Sequence, residues 1–103
     1  MAALIWSPFA DEASAAAVAR QLVEEGLVAC ANILGPMRSI FAWNDEIGEE
    51  QECGALFKTD GSQLARAIAR LEDIHPYETP AIMGWHCDEA GMATRAWLAG
   101  EAA

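Results

Sequence analysis

DEASAAAVARQLVEEGLVACANIL, the stretch from Asp11 to Leu34, decides the architecture of this chain. Its first half sets Ala15, Val18, Ala19, Leu22 and Val23 at the i, i+3, i+4, i+7 and i+8 positions of one helical face. Asp11 supplies an N-cap and Gly26 a C′ residue, so both ends of the helix are marked. Past the glycine the period is lost, and Leu27 to Leu34 reads as a strand. A capped helix running straight into a strand is the middle of a βαβ unit, so the segments on either side should complete one.

Outward from that stretch they do. Upstream, Ala3 to Ser7 is a short β-prone run that ends at Pro8. Downstream, Gly35-Pro36 breaks the strand, which resumes through Trp43. WNDEI then reads as a three-residue hairpin loop, with Asn44 or Asp45 in the left-handed conformation and Arg38 facing Glu52. The return strand runs from Ile47 to about Lys58. A second helix follows Asp60 or Ser62, with Leu64, Ile68, Leu71 and either Ala67 or Ile74 on its inner face; Pro76 stops it. Ala81 to Cys87 is the next strand, and Met92 to Leu98 a short final helix carrying Trp97. The sum is an α+β chain, β-α-β-β-α-β with a C-terminal helix, which is the ferredoxin-like plan over a single domain, residues 1–103.

Composition narrows the function. The formal net charge is -10, with six basic residues in 103, which repels phosphate backbones and anionic lipid. Nucleic acid and membrane surfaces are therefore poor partners, and cations good ones. The N-terminal MAALIWSPFA has no basic region before its apolar stretch and reads as a strand rather than a leader. Cys30, Cys53 and Cys87 are odd in number and widely spaced, which suits a reducing cytoplasm better than a disulfide framework.

The strands are oilier than a two-layer fold requires. ALIW, VACANIL and AIMGW place apolar residues on both faces of the sheet, while two helices cover only one. Left bare, the second face is a patch of several hundred Å², roughly the most a monomer tolerates. A homo-oligomer built on the sheet is expected, the rival being a terminal helix folded across that face.

Chemistry concentrates in DIHPYETPAI, Asp73 to Ile82. His75 falls at the end of the second helix, where the macrodipole favours its protonated form. Tyr77 and Glu78, adjacent in extended chain, face apart. Lys58, the only lysine, ends a strand in LFKT, where it is either simply exposed or able to hold a carboxylate or phosphate beside Tyr77 and Trp43. Cys30, Cys53 and Cys87 with His75 or His86 are candidate soft ligands for Cu(I) or Zn(II), although buried cysteines commonly behave as small hydrophobes. A Cys30–His75 nucleophilic pair is the enzyme reading; no third group orients it, and no phosphate loop, HExxH or GxSxG accompanies it.

LVEEGLVACANIL, RSIFAWNDEI, LFKT, HPYETP and the late AWL occur in the order and spacing of a known family. Over nearly its whole length the chain is similar to the CutA divalent-cation-tolerance family. The resemblance implies a ferredoxin-like fold in a tight trimer resembling the PII signalling proteins, a non-catalytic role in tolerance to copper and other divalent cations, and, in animals, membrane enzyme anchoring. It also implies a cleft between subunits onto which Trp43, Lys58, His75, Tyr77 and Glu78 map, either for a metal or, as in a PII-type sensor, for a small molecule. The family's copper ligands are a cysteine at the end of the first strand and a histidine pair before PY. Here those positions hold Ser7 and Ile74-His75, leaving His75 as the one ligand carried over, with Cys30 matching the family's AC position. The family's hairpin glycine is replaced by Asp45.

Overall fold

The chain forms β1 (Ala2–Phe9), α1 (Glu12–Glu24), β2 (Cys30–Trp43), β3 (Glu46–Asp60), α2 (Leu64–Ile74), β4 (Met83–His86) and α3 (Met92–Leu98), with one 3-10 turn, Gly61–Gln63, leading into α2. These elements are those of a computed structural model that describes residues 1–100. The strands make one antiparallel sheet in the order β2-β3-β1-β4. β3 thus lies between β1 and β2, the two strands that α1 connects, which is the expected ferredoxin-like arrangement.

The capping chemistry of α1 is as its sequence predicts. The Asp11 carboxylate accepts the Ser14 N–H at 2.8 Å, and Gly26, at φ 74, ends the turn in the left-handed region. Ala15, Val18, Ala19 and Leu22 are buried, but Val23 is 41% exposed. At 3.6 residues per turn Val23 stands about 80° round the helix from Ala15, off the buried stripe. The core joins Ile5 and Phe9 of β1, Leu22 of α1, Phe57 of β3 and Leu71 of α2, all fully buried. Each such side chain contributes about 1.5–3 kcal/mol.

Several strand boundaries differ from the sequence reading: β2 begins at Cys30 rather than Leu27, and β4 covers Met83–His86 rather than Ala81–Cys87. Pro8 does not end β1, because β4 pairs only with Ala3–Trp6; beyond that point β1 is an edge, where a missing N–H is tolerated. Gly35-Pro36 does not break β2 either. It forms a bulge between the Leu34 and Met37 pairings, and Gly35 (φ 139) fits because a Cβ there would stand 3.1 Å from the Cys53 Sγ. The hairpin loop has two residues, not three: Trp43 pairs with Glu46, and Asn44 (φ 52) with Asp45 (φ 63) forms a type I′ turn. Arg38 consequently faces Gln51 rather than Glu52.

Ala3, Ile5, Ser7 and Phe9 of β1 are fully buried on the helix-covered face. The register gathers Leu4, Trp6, Leu56, Met83 and Trp85 on the other face. The Trp6 indole lies across Gly54, where a Cβ would come within 2.0 Å of the ring. α3 packs on β1 and β3 and buries Leu98, yet Met83 stays 61% and Trp85 45% exposed. The terminal helix therefore leaves this face open. The molecule is long, 47 × 26 × 22 Å, because the β2–β3 hairpin extends past the helices with Ile40, Phe41, Trp43 and Ile47 exposed.

Candidate functional site

Pro76 sets the site. It forces the preceding residue out of the helical region, so His75 caps α2 with extended backbone (ψ 132) and its ring turns inward onto Phe9, centroids 4.1 Å apart. The Tyr77 N–H donates to His75 Nδ1 at 3.1 Å, and Nε2 lies 3.0 Å from the Pro8 carbonyl oxygen. An N–H can only donate, so Nδ1 is the acceptor and Nε2 carries the proton: the ring is neutral. Burial pushes the His75 pKa down, against smaller opposing effects of the Pro8 carbonyl and the Glu52 charge. The helix-end argument for a protonated His75 fails because the ring is buried and its Nδ1 accepts the Tyr77 N–H, which only the neutral form can do.

Tyr77 follows, its ring 5.0 Å from that of His75. Its hydroxyl donates to Glu52 Oε2 at 2.6 Å, and Glu52 is only 8% exposed. Burial first, then the hydrogen bond and charge of Glu52, hold the phenol well above its ordinary pKa, so it stays protonated. Farther along, the Ser7 hydroxyl donates to the Ala81 carbonyl at 2.7 Å. The segment from His75 to Ala81 is thus pinned at three points along β1 and β3.

Between that segment and the hairpin runs an open groove of about 730 Å³. Ser39, Phe41, Glu50 and Glu52 share one side of the hairpin; Tyr77, Glu78, Thr79 and Pro80 form the opposite wall, and Trp43 stands at the outer end. Of the five residues predicted to share a cleft, Trp43, Tyr77 and Glu78 line this groove, and His75 supports it from behind. Lys58 is elsewhere: it pairs with Leu4 and Cys30, six residues along β3 from Glu52, or about 20 Å at the usual strand rise. Glu50 and Glu52 were hidden in sequence within an acidic run, NDEIGEEQE; only the register shows that alternate members face the groove.

Residues 3–101 match the family model described as CutA1 divalent ion tolerance protein. The chain belongs to the CutA1 family. Curated relatives named divalent-cation tolerance protein CutA include that of Thermotoga maritima, 39% identical over 92% of this chain and 93% of that one. The CutA of Pyrococcus horikoshii is 34% identical over 92% of each. Among solved structures, CutA1 of Ehrlichia chaffeensis superposes with a TM-score of 0.91 at 30% identity, covering 99% of this chain and 95% of that one. A structure described as the periplasmic CutA of Archaeoglobus fulgidus gives a TM-score of 0.91 at 26% identity over 98% of each chain. Among the described residues no helix is long and apolar enough to cross a membrane.

The copper ligands implied by CutA resemblance do not converge in one chain. Both His75 ring nitrogens are engaged, and the Ser7 hydroxyl is given to Ala81. Cys30 pairs with Lys58 while His75 stacks on Phe9, the partner of Cys53, so about 17 Å of β3 separates them. That distance removes both the Cys30–His75 metal pair and the Cys30–His75 nucleophilic pair within a chain. Among the described residues no three His, Cys, Asp or Glu side chains are grouped to hold a metal ion.

Proposed function

We propose that this chain acts as a homotrimeric, non-catalytic cation-binding protein in divalent-cation tolerance, copper included. The observation that carries the reading is the open sheet face. Leu4, Trp6, Leu56, Met83 and Trp85 lie together on a surface that no helix among the described residues covers, and the hairpin adds Ile40, Phe41, Trp43 and Ile47. Covering such surface contributes roughly 25 cal/mol per Å² before association costs, which makes assembly the stable state. Since the described residues of one chain do not gather three metal donors, the reading places a divalent ion where copies meet. The three free cysteines suit a reducing, cytoplasmic setting.

The groove favours cations over the anionic nucleotides of a PII-type sensor. Glu50, Glu52 and Glu78 line it, and among the described residues no lysine, arginine or histidine does.

Light scattering of the purified protein at micromolar concentration tests the assembly, with three copies of the 11.0 kDa chain expected. Dialysis against copper followed by metal analysis tests the ion, at least one being retained per assembly. A stable single chain removes the trimer, and a metal-free assembly removes the ion.

A further inference from the structure

We propose that Lys58 fixes how copies of this chain align, its ammonium pairing with a carboxylate on the hairpin of a second copy, Glu46 or Glu50. This rests on the assembly reading given above and names a contact that selects the alignment. β3 is an inner strand, and the register sets Lys58, the only lysine, between Leu4 of β1 and Cys30 of β2, with Leu56 next along the same face. None of these neighbours is a carboxylate. Lys58 is half-buried, and no ion pair among the described residues involves it.

A second copy laid on this face takes water away from the ammonium. An unpaired charge desolvated in this way costs several kcal/mol, so the covering surface has to bring a carboxylate. The hairpin brings two. Even-numbered residues of β3 share the face of Lys58, and past Leu56 and Gly54 they run through Glu52 and Glu50 to Glu46 beside the turn. Glu52 is held by Tyr77, whereas Glu46 and Glu50 are exposed. Phe41 lies between those two, opposite Gly48, so apolar surface and charge arrive together. Glu50 is eight residues from Lys58, about 26 Å at the usual strand rise, which is too far for a pair within one chain. Lys58 is also the one cation that the strands carry on this face, because Arg38 pairs with Gln51 and falls on the other. The face thus has a cation at one end and carboxylates toward the other. Copies set head to tail along it satisfy both ends, while like ends together would oppose Lys58 to Lys58.

Sedimentation equilibrium of the full chain and its variants tests this. Lys58→Glu should weaken association about tenfold or more with circular dichroism unchanged, and Lys58→Gln, which removes the charge without reversing it, should weaken it less. Adding Glu50→Lys or Glu46→Lys to the Lys58→Glu chain rebuilds the pair with its charges exchanged, and one of the two should recover most of the loss. Glu49→Lys makes the same change in net charge on the opposite face of the strand and should recover little. Equal recovery with Glu49→Lys would mean diffuse charge and overturn the pairing, as would no recovery from either even-numbered reversal. A Lys58→Glu chain that associates as tightly as the parent overturns this inference alone, since assembly then stands without the pair. A parent that stays a single chain overturns the assembly in the proposed function, and the pairing with it.

Discussion

His75, Tyr77 and Glu52 are joined by hydrogen bonds in which the His75 ring fits only in its neutral form and the Tyr77 hydroxyl acts as a donor. The neutral ring accepts from the Tyr77 N–H, and the Tyr77 hydroxyl in turn supplies the only donor to Glu52 among the described residues. The lowered His75 pKa makes this arrangement pH-dependent. Stability from the neutral ring is complete above its ordinary value near 6.5 and is lost as pH falls from there toward the lowered folded value. Urea midpoints should therefore fall between about pH 7.5 and about pH 5.5, with a flatter profile in His75→Gln. Tyr77→Phe strips the donor from a buried carboxylate and should cost about 1–3 kcal/mol in denaturant unfolding. Trp43, Tyr77 and Glu78, which the family resemblance maps to a cleft, line the groove between the hairpin and the 77–81 segment. Lys58 lies six residues along β3 from Glu52, outside the groove of its own chain, and the facing of Glu50 and Glu52 follows from a register that the sequence left open by a residue at the hairpin turn.

Among the elements, the helices were the legible part. Caps, a 3.6-residue period and Pro76 are local signals, and α1 and α2 follow them with only Val23 misassigned. Strand limits depended on partners: Pro8 stays within β1 because β4 is short, and Gly35-Pro36 is absorbed as a bulge because β3 passes opposite it. The turn carries strain that one substitution should relieve. Asp45 sits at φ 63, where most side chains are disfavoured and glycine is not. Asp45→Gly should raise stability by about 1 kcal/mol or less, seen as a higher thermal midpoint with unchanged far-ultraviolet circular dichroism. Gly54→Ala should act oppositely, because the added methyl meets the Trp6 ring; overpacking of this kind costs about 1–3 kcal/mol.

For the molecule as a whole, the excess of apolar strand faces was visible in ALIW, VACANIL and AIMGW, and the structure leaves that excess uncovered by its own helices. Trp85→Arg places a charge on the open face without touching the helix-covered core, so light scattering should report smaller particles while circular dichroism is preserved. The same charge that repels nucleic acid, -10 per chain, also opposes bringing copies together, and raising salt should strengthen association accordingly. The long hairpin has a kinetic corollary. Its outer strands present apolar residues beyond the reach of the helices, so a single chain can close its own core with that arm still unpacked. Refolding should then separate into a first-order phase indifferent to dilution and a later phase that accelerates with chain concentration as arms find neighbouring copies.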